Sequence, residues 1–299
     1  GASELLHVNI ESMEKHLMDL QMEKKIVVKL NEDGQESCHV YASQYYYTEL
    51  NSARMLHDLN IRGNEPEKAI RKRLKKICAE EHIEADELQI QAVIEAVNSG
   101  LLIITGGPGT GKTTTINTII RYFEEEEMEI LLGAPTGRAA KRMTAATGME
   151  AQTIHRLLGI SFIGEDSRRQ TFDKNEENPI EADVIIIDES SMVDIVLMQA
   201  LLRAVESGSR IIFVGDVDQL PSVGAGNVLK DMIRSERLKV VRLQHVFRQA
   251  QESAIIMNAH RINQGEEPVL NEEGTDFFFM RRAYADEVAG TIRELVTKR

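Results

Sequence analysis

The stretch from Leu101 to Thr114 reads L-L-I-I-T-G-G-P-G-T-G-K-T-T, an apolar run that breaks into glycines and then into residues able to open a helix. Gly106, Gly111, Lys112 and Thr113 match the spacing G-x-x-x-x-G-K-[ST] of a phosphate-cradling loop. Glycines let backbone N–H groups close around phosphate oxygens without Cβ clashes, and a helix starting there turns its positive end toward them. In that chemistry Gly107, Pro108, Gly109, Thr110, Gly111 and Thr114 line a polyphosphate. Lys112 reaches the β- and γ-phosphates and the Thr113 hydroxyl ligates Mg²⁺. The expected ligand is a nucleoside triphosphate.

A second pattern complements the first. Ile185-Ile186-Ile187-Asp188-Glu189 is an apolar strand ending in two carboxylates. Asp188 is placed to hold Mg²⁺ and Glu189 to polarise an attacking water as general base. After another apolar run comes Gly215-Asp216-Val217-Asp218-Gln219, where Gln219 can donate an amide N–H to a γ-phosphate or lytic water; an Asp- and Gly-rich turn is the plainer alternative. Arg248, in Val246-Phe247-Arg248-Gln249, can lend positive charge to the γ-phosphate or simply form a surface ion pair. In Ala134-Pro135-Thr136-Gly137-Arg138, backbone amides, the Thr136 hydroxyl and nearby Arg138, Lys141 and Arg142 can hold an oligonucleotide phosphate at a helix start, or merely cap that helix. His155 is equally open between a structural and a functional role.

These residues need a scaffold of strand ends. Apolar runs at Leu101–Thr105, Ile130–Ala134, Val184–Asp188, Arg210–Gly215, Lys239–Leu243 and Asp276–Met280 read as strands. Helical patterns alternate with them at Thr113–Phe123, Gly137–Ala146, Val193–Val205, Gly226–Arg234, Ser253–Gln264 and Tyr284–Lys298. Such alternation predicts an α/β domain, a mainly parallel sheet with helices on both faces, over residues 86–299. Ile160 to Ile180 interrupts it as a polar insertion, either a projecting β-hairpin or a surface loop. Residues 1–85 read as a smaller α+β unit, possible as a winged-helix-like subdomain: an amphipathic helix from Leu5 to Leu20, a hairpin of Ile26–Leu30 and Ser37–Ala42 turning at Asn31–Gly34, and helices from Tyr45 to Leu59 and Glu67 to Ala79. Its tyrosines and the cluster from Arg71 to Lys76 either touch nucleic acid or form a solvated face.

Composition sets outer bounds. The chain has 299 residues, 42% apolar and 28% charged, an ordinary globular balance. A net charge of −13 argues against coating nucleic acid by bulk electrostatics, but not against gripping a few phosphates. No apolar run approaches a membrane span, no cleavable signal shows, and Gly1-Ala2-Ser3 reads as a cloning remnant. Cys38 and Cys78 make neither metal spacing nor disulfide framework, so a reducing, cytoplasmic setting is expected.

Taken in order, the motifs resemble those of the RecD-like (RecD/TraA) DNA helicases of superfamily 1, from about Leu88 to Gly265. Gln89 stands where that family has its adenine-reading glutamine. G-G-P-G-T-G-K-T resembles motif I, A-P-T-G-R-A-A motif Ia, T-I-H-R-L-L motif Ib, I-I-D-E-S-S-M motif II, G-D-V-D-Q-L-P-S-V-G-A-G motif III and V-F-R-Q motif IV. The resemblance implies a RecA-like P-loop motor that hydrolyses ATP with Mg²⁺, tracks single-stranded DNA 5′-to-3′ and opens duplex junctions, in DNA repair or recombination. It implies DNA contacts at Pro135, Thr136, Arg138, His155, Gly224 and Gly226, makes the insertion at about 160–180 a strand-splitting pin, and admits recombination or repair proteins as partners. Nothing after Phe279 resembles motifs V and VI, so the family's second RecA-like domain is unmatched, and the chain alone is expected not to unwind. A phosphotransferase and a nucleotide-switched partner-binding ATPase are the competing classes; Glu189 beside Asp188 favours water activation over transfer, and stimulation by DNA separates motor from switch.

Overall fold

The computed structural model describes residues 7, 9–30, 38–162, 170–247, 251–270 and 274–297. Two compact units divide the chain: Gly1–Gly106 with Lys112–Leu243, and Gly107–Gly111 with Gln244–Arg299.

The larger unit begins with helix α1 (Ile10–Met22), capped by the Asn9 side chain, which accepts from the Glu11 N–H. Strands β1 (Ile26–Leu30) and β2 (Cys38–Ala42) pair antiparallel with Val28 opposite Val40, as the alternation predicts; the turn from Asn31 to Gly34 lies outside the described residues. Helices α2 (Ser43–Leu59), α3 (Glu67–Glu80) and α4 (Glu87–Asn98) follow. Sequence periodicity missed α4, although Asp86 and Gln89 form a capping box at its start.

The basic cluster on α3 is answered by carboxylates. Ile70, Leu74 and Ile77 are buried. Arg71 pairs with Glu67 and Glu87, Arg73 with Glu126, and Lys76 with Glu125. The acidic run beginning at Glu124 thus faces these cations.

Six parallel strands form the sheet: β3 (Leu101–Gly106), β4 (Ile130–Ala134), β5 (Ala151–Thr153), β8 (Val184–Ile187), β9 (Arg210–Gly215) and β10 (Lys239–Leu243), in spatial order β10-β3-β9-β8-β4-β5. The continuous apolar runs arise because both faces are covered. Leu102, Ile104, Ile186 and Ile212 enter one core with α3, α4 and α5 (Lys112–Glu125). Leu101, Ile103, Ile185 and Phe213 enter the other, with α2, α8 (Ile195–Ala204) and α9 (Val228–Arg234). Helices α6 (Gly137–Thr147) and α7 (Ile154–Leu157) follow β4 and β5. This is the RecA-like P-loop architecture.

The insertion is a hairpin at its base: β6 (Ile160–Phe162) pairs antiparallel with β7 (Gln170–Phe172), and the stretch from Gly164 to Arg169 lies outside the described residues. Arg203 on α8 holds Glu176 just after the hairpin, at 2.7 and 2.9 Å.

In the smaller unit lie α10 (Ala254–Asn263) and α11 (Ala285–Thr297), and the described residues between them form neither helix nor strand. The strand expected over Asp276–Met280 is absent. Asp276 instead accepts from Ser253 Oγ at 2.6 Å and the Ile255 N–H at 3.2 Å, bonding the start of α10. Phe278 and Phe279 stand 70% and 51% exposed, an environment no strand of a doubly covered sheet provides. The edge position is taken by three-residue β5, too short to register as a periodic run.

Candidate nucleotide and nucleic-acid sites

Ligands of open parallel sheets bind beyond the carboxyl ends of the strands. There the larger unit gathers Lys112 after β3, Asp216 after β9, and Asp188 with Glu189 after β8, three neighbouring strands. The Lys112 ammonium donates to the Gly106 carbonyl at 2.6 Å. Burial lowers its pKa from 10.5, against the raising fields of Asp216, Glu189 and Asp188. Asp216, only 2% exposed, accepts from the Asp218 N–H at 3.0 Å and from Gln219 Nε2 at 3.4 Å. Gln219 is the residue that the sequence pattern singles out here, and Asp216 is the one that the fold brings to the lysine. The available signal was a Gly-Asp pair closing a buried strand.

At the other acids, the Asp188 carboxylate accepts the Glu189 N–H at 2.8 Å, and Glu189 takes a left-handed conformation, φ 54°. A non-glycine there is uncommon and strained, and such strain concentrates at functional turns. Arg142, on α6, bonds the Glu189 carboxylate and lies 3.5 Å from Asp188 Oδ2. Burial opposes the Arg142 charge, but Glu189 and Asp188 outweigh it and raise its pKa. The sequence offered Arg142 to DNA; the fold turns it to the acids.

Burial likewise pushes the Asp188 carboxyl above its usual 3.8. A carboxyl that binds its proton more tightly folded than unfolded makes the folded state lose stability as pH rises through that folded value. Asp188→Asn is therefore expected to raise the melting temperature of the ligand-free chain at neutral pH by a few degrees; calorimetry across pH 4–8 checks this, and the gap closes at the acid end.

In the smaller unit, Gly109 and Gly111 adopt φ of 75° and 80°, conformations open to glycine, and Thr110 Oγ1 donates to the Gly107 carbonyl at 2.8 Å. Thr113, on α5, is exposed. Gln89 is fully buried, its side-chain oxygen accepting the Asp86 N–H at 3.0 Å in the capping box. Arg248 lies outside the described residues.

The residues assigned to DNA lie at the same edge of the sheet. Ala134 pairs with Thr153, so Thr136 and His155 follow adjacent strand ends. Thr136 caps α6, its hydroxyl accepting the Ala139 N–H at 3.2 Å, with Arg138 exposed beyond it. His155 lies 6.0 Å from the Phe172 ring on the hairpin. Gly224 and Gly226 wrap the start of α8, where Asp194 accepts the Leu197 N–H at 2.8 Å and the Ala225 carbonyl accepts from Ile195. A Cβ on Gly224 would stand 2.1 Å from Asp194 Oδ2. Gly224→Ala is thus expected to cost about 1–3 kcal/mol by displacing that cap, read by thermal denaturation.

A family model described as an AAA domain matches residues 89–225. The ATP-dependent RecD2 DNA helicase of Deinococcus radiodurans is 38% identical over 205 residues, 69% of this chain and 26% of its own. The RecBCD enzyme subunit RecD of Mycolicibacterium smegmatis is 39% identical over 170 residues, 49% of this chain and 30% of its own. Over the stretch that carries its nucleotide-site motifs, this chain is similar to the RecD-like helicases. It spans between a quarter and a third of the length of these two relatives. Among solved structures, the Pif1 helicase from Candida albicans aligns over 62% of this chain and 45% of its own at 24% identity, TM-score 0.45. The AAA-domain match takes in the phosphate loop, both acids after β8 and Gly224. Among the described residues no helix is long and apolar enough to cross a membrane.

Proposed function

We propose that this chain is the ATP-hydrolysing motor domain of a RecD-like DNA helicase, driven along single-stranded DNA in the 5′-to-3′ direction. The observation carrying the proposal is the clustering of Lys112 with three carboxylates at the carboxyl edge of the sheet. A half-buried ammonium facing Asp188, Glu189 and Asp216 is the charge pattern of a site for a metal-bound polyphosphate.

In this reading the loop from Gly107 to Gly111, with Lys112 and Thr114, holds the phosphates of ATP. Thr113 and Asp188 offer all-oxygen ligation, which suits Mg²⁺. Among the described residues no cluster of three His, Cys, Asp or Glu forms a metal cage, so substrate phosphates and water would complete the shell. The metal supplies Lewis-acid stabilisation of phosphate charge when bound. Glu189 takes the proton of the attacking water, once Arg142 releases its carboxylate. Gln219 and Arg248 sense the γ-phosphate, and Gln89 reads adenine. Pro135, Thr136, Arg138, His155, Gly224 and Gly226 hold a single strand mainly by its backbone, which gives little sequence preference. The hairpin acts as the pin at a duplex junction. We assign residues 1–85 to an N-terminal subdomain and 86–299 to the first motor domain. A second RecA-like domain of the same protein closes the nucleotide cleft, without which this chain alone does not unwind. The setting is cytoplasmic DNA repair or recombination, with other recombination proteins as partners.

The test is steady-state Mg-ATP hydrolysis by the full-length protein, with and without single-stranded DNA. Strong stimulation supports the motor. Turnover indifferent to DNA overturns it in favour of a nucleotide-switched, partner-binding ATPase.

A further inference from the structure

His260 belongs to none of the motifs above. It lies on α10, in the same compact unit as Gly107–Gly111, and its Nε2–H donates to the Pro108 carbonyl at 3.0 Å. The next carbonyl, that of Gly109, accepts the Phe247 N–H at 3.1 Å, and the preceding one, that of Gly107, accepts Thr110 Oγ1 at 2.8 Å. Three successive loop carbonyls are therefore held from within this unit.

That arrangement dictates where amides point. A trans peptide is planar, with its C=O and N–H directed oppositely, and no cis peptide occurs among the described residues. Fixing the Pro108 carbonyl orients the Gly109 N–H, and fixing the Gly109 carbonyl orients the Thr110 N–H. Gly107 adds an independent sign. Unlike Gly109 and Gly111 it is not among the positive-φ glycines. A Cβ there would instead stand 2.6 Å from His260 Cε1. A side chain at this position would have to displace the imidazole ring.

We infer that His260 is a positioning residue of the phosphate loop: its ring occupies the space a side chain at 107 would fill, and its Nε2–H sets the Pro108 peptide so that the Gly109 N–H faces the polyphosphate. Only the last clause rests on the ATP reading. The first measurement is amide hydrogen exchange in the nucleotide-free chain over the peptide from Leu101 to Thr114. His260→Ala is expected to speed exchange there about tenfold, with an unchanged melting temperature. His260→Gln, which keeps an N–H near the position of Nε2, restores protection. Gly107→Ala repeats the loss, and Gly107→Ala/His260→Ala is less perturbed than the sum of the single variants. Wild-type exchange in His260→Ala, or a loss that Gln does not rescue, overturns the inference.

Mg-ADP titration by calorimetry supplies the second arm. His260→Ala is expected to weaken binding about tenfold, again rescued by Gln. Unweakened binding in His260→Ala overturns the inference while leaving the nucleotide reading intact. A wild-type chain that binds no Mg-ADP overturns the nucleotide reading, and the exchange arm still decides whether His260 holds the loop.

Discussion

Lys112→Ala is expected to lower Mg-ATP hydrolysis by roughly a hundredfold or more and to weaken nucleotide binding, without destabilising the empty protein. Burial lowers the Lys112 pKa despite three facing carboxylates. A lysine that holds its proton less tightly when folded leaves the unfolded state with more bound protons. Stability contributed by this residue therefore rises with pH through the window below 10.5. The charged ammonium is thus a liability of the empty fold that phosphate oxygens would relieve. Paired measurements check this: hydrolysis and Mg-ADP affinity should fall while the melting temperature holds or rises. A melting temperature that drops with activity would instead make Lys112 a structural residue.

Glu189→Gln should separate binding from chemistry. Replacing a general base typically removes about two to four orders of magnitude in rate, so turnover should fall on that scale while nucleotide still binds. Geometry supports this separation. Glu189 sits in a left-handed turn directly after β8, beside Asp188, and its carboxylate bonds the Arg142 guanidinium. The substitution keeps size and turn geometry and removes only the basic oxygen. Single-turnover kinetics with rapid filtration would show ATP retained and unhydrolysed; a rate within tenfold of the parent would remove Glu189 from the base role.

Much of this was legible locally. A glycine loop after an apolar run, and two acids after another, are signals within one strand and its turn, where backbone conformation and burial are decided by neighbouring residues. The two-sided sheet was readable for the same reason: buried parallel strands are apolar throughout. Local signals also misled. Phe277 to Met280 carry strand-like composition yet pair with nothing in the sheet, while β5 joins it with three residues. The helix from Glu87 was announced only by its capping box.

The sequence by itself determined the phosphate-loop glycines, the carboxylates that close β8 and the alternation of strand with helix, because each is a property of a short contiguous stretch. Tertiary structure alone decided that β9 lies between β3 and β8, which brings Asp216 to Lys112, and that Arg142 reaches the acids after β8 and His260 the Pro108 carbonyl. Those contacts join residues far apart in the chain, and only strand order and helix packing set which of them meet.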